Sequence, residues 1–268
     1  MSRVKQKVHF VDNELLNPTN PITVNLIGAG GTGSKVLTAL VEMNHSLLAL
    51  GHAGLHVRLW DDDTISEANL GRQRFAQSEL GLHKSVALIN RANRWAGTRW
   101  RAETIKYGLE CINDDCNHVS GTLTISCVDT VHARFEIAEI LRKVVGSGAY
   151  NNRPKYWLDF GNGLNTGQVL LSTVGEIVQP KSEQFDTVAT LPFVTDEFGE
   201  LLRQSERLDD TPSCSVADAL QTQDLYINSA LAQMGISLLW SLLRQGMTAH
   251  RGLFLNLGDF RAQPIAFR

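Results

Sequence analysis

Apolar positions along this chain change their period repeatedly. Thr23-Val24-Asn25-Leu26-Ile27 is a short apolar run of strand type. From Ser34 the apolar residues recur three to four apart, at Val36, Leu37, Leu40, Val41, Leu47 and Leu48, the period of a helix laid on a sheet. His56–Trp60 predicts a second strand, Val86, Ala87, Ile89 and Trp95 the inward set of a second helix, and Arg99–Ile105 a third strand. Thr122–Val128 then reads as a strand, Val131–Val145 as an amphipathic helix, and Tyr156–Phe160 and Gln168–Ser172 as strands joined by Gly161-Asn162-Gly163-Leu164-Asn165-Thr166-Gly167. Gly175–Thr222 has little periodicity, which in so long a stretch points to a functional loop. The stretch 224–243 predicts a long helix with Leu225, Ile227, Leu231, Met234, Ile236, Leu238 and Leu242 apolar nearly all round, so burial between the sheet and a second surface is expected; a dimer partner would supply one. Arg251–Leu257 and Pro264–Phe267 read as closing strands, and in residues 1–22 Val8 and Phe10 suit a short edge strand before a proline turn.

Between the first strand and the first helix lies Gly28-Ala29-Gly30-Gly31-Thr32-Gly33, in which Gly28, Gly30 and Gly33 fit G-x-G-x-x-G. A glycine turn there lets the backbone approach a phosphate, which the amides and the positive end of the helix dipole then hold. Asp61 ends the second strand, where an acidic residue can take ribose hydroxyls, although it lies farther downstream than a dinucleotide fingerprint expects. Lys84 sits at a helix start, a poor place for a cation with respect to the dipole and a useful one for holding a phosphate.

Asp61-Asp62-Asp63-Thr64-Ile65 runs into Asn69-Leu70-Gly71-Arg72-Gln73, and Lys84 follows eleven residues after Gln73. This resembles the D-x-D-x-V, N-L-x-R-Q and lysine signature of the ThiF, MoeB and ubiquitin-activating superfamily. Within it the chain is most similar to the ThiF-like member of the PRTRC gene system of bacterial plasmids and mobile elements. The resemblance implies an α/β fold with a Rossmann-like, mostly parallel sheet flanked by helices and later antiparallel strands. It also implies ATP- and magnesium-dependent adenylation of the C-terminal carboxylate of a small ubiquitin-like (β-grasp) protein ending in glycine. By the same resemblance the turn of Gly28, Gly30, Gly31 and Gly33 holds the nucleotide, and Asp61, with Asp63 beside it, serves the ribose. Asn69, Arg72, Gln73 and Lys84 address the triphosphate, and Asp129 carries magnesium. Pro212-Ser213-Cys214-Ser215 resembles the element that bears a thioester cysteine, and Arg3 is the candidate for an arginine reaching the partner subunit's ATP in a homodimer.

The residue types suit that chemistry. Bringing a carboxylate to the α-phosphate of ATP places two anions together, so catalysis is positioning plus neutralisation of charge. Arg72 offers a planar fork and Lys84 a point charge, while Asp129 is a hard oxygen ligand of the kind magnesium shares with phosphates and water. Each residue also has a plain structural reading: Asp129 as a helix N-cap, Arg72 and Lys84 as ion-pair partners of the nearby aspartates, and Cys214 as a small buried side chain.

The chain of 268 residues has room for one large α/β domain. Residues 1–22 are expected as an N-terminal segment and 23–268 as a single adenylation domain with a long crossover loop at 175–222. A net charge of −3 makes nucleic acid an unlikely main partner, and no apolar run reaches membrane-spanning length, so a cytoplasmic protein is expected. Cys111, Cys116, Cys127 and Cys214 form no C-x-x-C pair, which argues against zinc. Residues 176–210 carry nine acidic side chains against Lys181, Arg203 and Arg207, a field that would draw a cationic peptide. Three other readings stay open: adenylation of a non-protein carboxylate in tRNA modification, an NAD-dependent oxidoreductase, and a non-catalytic dimeric scaffold. A downstream conjugating protein is a further expected partner.

Overall fold

The computed structural model describes residues 5–70, 73–114, 116–146, 153–206 and 224–267, with the side chains of 113–117, 205 and 206 outside the description. In chain order its elements are β1 (Gln6–Phe10), α1 (Asn13–Leu16), β2 (Ile22–Ile27), α2 (Gly31–Ala49), β3 (Leu55–Trp60), α3 (Lys84–Ala96) and β4 (Arg101–Glu103). Next come α4 (Glu110–Asp114), α5 (Cys116–Val119), β5 (Leu123–Ser126), α6 (Val131–Gly146), β6 (Tyr156–Asn162), β7 (Thr166–Thr173), β8 (Phe185–Thr187), α7 (Val194–Glu197) and α8 (Gly199–Glu206). The series closes with α9 (Ile227–Gln245), β9 (Met247–Thr248), β10 (His250–Asn256) and β11 (Arg261–Ala266).

Eight strands form one sheet in the order β11-β10-β7-β6-β5-β2-β3-β4. The five from β6 to β4 run parallel, and β7, β10 and β11 add antiparallel to one side. β2 is central and fully buried, as befits a strand covered on both faces, and its buried Asn25 is satisfied by donating to Val119 O at 2.7 Å. Val24 and Leu26 pack with the helices α2 and α9, while Ile27 joins Trp60, Ile137 and Ile140 on the α6 side. From β2 the chain winds outward through β3 to β4 and then returns to place β5 on the opposite flank of β2. That reversal opens a crevice at the carboxyl ends of β2 and β5, the place where open α/β sheets take ligands.

Five expectations change. The aperiodic 175–222 stretch is not wholly loop, because β8 pairs with β1 in parallel and α7 and α8 follow it. The short strand expected at Val8 and Phe10 is β1, but it lies between β8 and β9 in a second, three-stranded sheet and not at an edge. Trp95, in the last turn of α3, does not face inward but is 62% exposed and lines a surface groove with residues of α2. Leu48 is likewise exposed at the end of α2. α9 is amphipathic rather than apolar all round: Ile227, Leu231, Ile236, Leu239 and Leu242 are buried, Gln233 and Ser237 are exposed, and Leu225 is exposed ahead of the helix.

Candidate active site

The turn from β2 into α2 is shaped by contacts that leave no room for side chains at three of its glycines. Gly28 has φ +93°, and a Cβ there would meet the Cys127 carbonyl oxygen at 2.6 Å. At Gly33 a Cβ would lie 1.9 Å from the Gly28 carbonyl oxygen, and at Gly31 it would lie 2.7 Å from Asn228 Nδ2. Gly30 differs, because nothing lies within 4 Å of the position a Cβ would take. The first three are thus demanded by the protein itself, and Gly30 faces open space at the start of α2, where unpaired amides gather.

Asp61 fastens this turn to β3. Its Oδ2 accepts from Ala29 N at 2.6 Å and its Oδ1 from Asp63 N at 3.1 Å. Burial pushes its carboxyl above the usual carboxylate range, against the opposing pull of the Ala29 amide and Lys84. Lys84 is buried at 8% exposure, and its Nζ donates to Asp63 Oδ2 at 2.7 Å, while its backbone N donates to Asp63 O at 3.0 Å. Asp63 is itself largely exposed, so the pair lies at the mouth of the crevice with the carboxylate outward.

Asn69 closes a 3-10 turn at Glu67–Asn69, its Oδ1 accepting from Ser66 N at 2.9 Å. Gln73 is buried, its backbone N donates to Asn69 O at 3.0 Å, and its side-chain Oε1 has no hydrogen-bond partner among the described residues. Arg72, Cys214 and Arg3 lie outside the described residues. Asp129 follows β5, exposed, beside the glycine turn that Cys127 abuts. Among the described residues no three His, Cys, Asp or Glu side chains are grouped to hold a metal ion, so Asp129 stands there as a single acidic ligand candidate.

Two arrangements escaped the sequence reading. Asn228, on the first turn of α9 and 2% exposed, accepts from Thr32 Oγ1 at 2.7 Å and from Asn162 Nδ2 at 3.3 Å, tying α9 and β6 to the first turn of α2. The second is the buried pair Arg134–Asp159, 3.2 Å between Nε and Oδ2. Arg134 donates to the carbonyls of Val128 at 2.8 Å and Thr130 at 3.3 Å, the two residues that flank Asp129, and to that of Phe160 at 2.9 Å. Ser126 Oγ donates to Asp159 Oδ1 at 2.6 Å and accepts from Trp157 Nε1 at 2.7 Å, which completes the aspartate's surroundings. A motif in the glycine-rich stretch around Asn162 was visible in sequence; its partners on α2 and α9 were not.

A doubly wound α/β sheet with a glycine turn, an acidic strand end and the Lys84–Asp63 pair at its switch point is a Rossmann-like architecture. The chain belongs to the ThiF family, whose model matches residues 5–257. Among solved structures it is similar to E. coli MccB with ATP (14% identity, TM-score 0.56, 94% of this chain and 65% of that one). It is also similar to E. coli MccB with MccA (13%, 0.57, 95% and 65%) and to PaaA (14%, 0.58, 94% and 65%). At those identities the likeness is one of fold, and the chain spans just under two thirds of the length of the structures it matches. No curated protein matches it in sequence. No helix among the described residues is long and apolar enough to cross a membrane.

Proposed function

We propose that this chain is an ATP- and magnesium-dependent enzyme that adenylates the C-terminal carboxylate of a small ubiquitin-like protein, and that it is the ThiF-like member of a PRTRC-type system. The observation that carries this reading is the open space over Gly30 in a turn whose other glycines are sterically filled, with Asp61 and Lys84 closing the same crevice. When bound, ATP supplies an electrophilic α-phosphorus and magnesium offsets the charge of the chain of phosphates.

The protein's own groups do the rest. Amides of the first turn of α2 face the phosphates, Asp61 orients the ribose while bracing Ala29, and Lys84 exchanges Asp63 for phosphate oxygens as the nucleotide enters. Asn69, Gln73 and Arg72 border the same triphosphate, Arg72 and the two side-chain amides through their N–H groups. Asp129 holds the metal, on a loop kept in place by Arg134. Cys214 is the candidate thiol for a second step, in which its thiolate attacks the acyl carbon and AMP leaves. A homodimer in the cytoplasm, with Arg3 reaching the other subunit's nucleotide, completes the proposal.

The test is pyrophosphate exchange into ATP. It should require a small partner protein ending in glycine and be abolished by Arg72→Ala and Asp129→Ala. Exchange supported by tRNA without any protein partner would transfer the activity to a non-protein carboxylate, and binding of NADH in place of ATP would end the adenylation reading. Cys214→Ala should leave exchange intact while removing any thioester that resists AMP but yields to thiol.

A further inference from the structure

The end of the sheet opposite the crevice carries a second cavity, of about 300 Å³. β7 runs antiparallel to β6, so Thr173 pairs with Tyr156 where the parallel strands begin. α6 starts beside the crevice at Val131 and brings Arg142, near its carboxyl end, to this far side. Val174, Leu191 and Phe193, all buried, give the cavity an apolar wall. The wall is pinned at Pro192, whose carbonyl accepts from Ser172 Oγ and from Arg251 Nη2, each at 2.8 Å. A preformed hollow of this volume stands at the low end of small-molecule sites, which span about 300–1,000 Å³.

The charged groups on its lining are of both signs. Arg142 stacks on Phe193, with Cζ 4.9 Å from the ring centroid, and its Nη2 donates to the two oxygens of Asp196 at 2.7 and 2.8 Å. All of that contact passes through one nitrogen, which leaves Nε and Nη1 without partners among the described residues. Both side chains are 52% exposed, and an ion pair so open to solvent adds little to the stability of a fold. Thr173, also on the lining, is 2% exposed. Its Oγ1 accepts from Leu191 N at 3.0 Å, but among the described residues its hydroxyl has nothing to donate to. A buried hydroxyl with its proton unused on a cavity wall asks for an acceptor from outside. Gly175 keeps the entrance clear, since nothing lies within 4 Å of the place a Cβ would take.

A simple anion entering here would meet the Asp196 carboxylate, and a simple cation would meet the Arg142 guanidinium. A molecule that carries both charges on adjacent atoms satisfies both at once. We propose that this cavity binds a free apolar α-amino acid. Its carboxylate takes the Nε and Nη1 hydrogens of Arg142 and the hydroxyl proton of Thr173, its ammonium meets Asp196, and its side chain lies on Val174, Leu191 and Phe193. The site stands apart from the adenylation reading, because it occupies the other end of the sheet from the place proposed for the nucleotide.

Calorimetry on the full chain decides the matter with three probes: L-leucine, L-leucinamide, which lacks the carboxylate, and 4-methylpentanoate, which lacks the ammonium. Leucine should bind, and each analogue should bind about tenfold or more weakly. Arg142→Gln and Asp196→Asn should each weaken leucine by about tenfold or more, while Asp196→Asn leaves 4-methylpentanoate bound at least as well as by the native protein. No heat with leucine, or unchanged leucine affinity in either variant, overturns the site. 4-Methylpentanoate equal to leucine overturns it in favour of a plain carboxylate site, and leucinamide equal to leucine in favour of an amine site. Both substituted side chains are half exposed, so native thermal midpoints are expected in the variants and separate lost binding from misfolding. The analogue series on the native protein tests the proposal whether or not a variant folds.

Discussion

Two alanine substitutions three residues apart should fail in opposite ways. At Gly33 a methyl group would meet the Gly28 carbonyl oxygen at 1.9 Å and its carbon at 2.9 Å, both backbone atoms of the turn itself. Relief requires the strand end and the helix start to separate, which also disturbs the Asp61 bond to Ala29. Overpacking of a core by one group costs about 1–3 kcal/mol, and a clash with fixed backbone lies at or above the top of that range. For a domain of this size about 3 kcal/mol lowers Tm by about 6–12 °C. At Gly30 the methyl meets nothing within 4 Å, so the cost is that of losing glycine at the N-cap of α2, about 1 kcal/mol and well below that at Gly33. There the methyl instead fills the space into which a phosphate must come, and MgATP affinity should drop by about tenfold or more. Thermal melts with calorimetry on the same two variants make the comparison. Native ATP affinity in Gly30→Ala, or a native Tm in Gly33→Ala, would refute the division of labour argued for this turn.

Asn228→Ala deprives the Thr32 hydroxyl and the Asn162 amide of their shared acceptor, at a cost of about 1–3 kcal/mol, read as a Tm lower by about 2–12 °C. Asp159→Asn leaves the Arg134 charge uncompensated at 5% exposure and should cost about 3–5 kcal/mol. Replacing Arg134 with Met and Asp159 with Leu together should restore much of the stability but not any activity that depends on Asp129. A double variant as unstable as Asp159→Asn would count against this account. His9 is buried with Nδ1 2.6 Å from Val188 O and Nε2 2.8 Å from Tyr156 Oη, and burial lowers its affinity for a proton despite Val188 and Asp12. The unfolded chain then binds the proton first, so stability should be full above about pH 6.5 and decline as pH falls toward the folded value. Urea midpoints against pH should show that decline in the native protein and a smaller one in His9→Gln; identical slopes would remove His9 as the cause.

Much of the parallel half of the fold could be read from sequence because its signals are local. An apolar strand, a glycine turn and a helical period lie within thirty residues, and Ile22–Ile27, Gly31–Ala49 and Leu55–Trp60 follow them closely. What escaped was nonlocal. Phe185–Thr187 is only three residues long and pairs with Gln6–Val8 across the length of the chain, so no period marks it as a strand. Trp95 carries the right spacing for an inward position, but spacing does not show what a helix's last turn has to pack against. Around α9, Met234, Leu238 and Trp240 are half-buried against the core, and the apolar count overstated how much of the helix is enclosed. The site divides in the same way. Gly30, Asp61 and Lys84 are contiguous with recognisable signals, whereas Asn228 is one amide in an apolar helix and Arg134 and Asp159 sit on separate elements.

The loop bearing Asp129 is shaped from behind, by an arginine five residues further on and an aspartate from the neighbouring strand. The acidic tip is therefore not a portable cassette. Transplanting residues 123–134 into another scaffold would carry the guanidinium without its counterion, and the recipient would need a carboxylate matching Asp159 on the adjoining strand before the tip could stand where it does here.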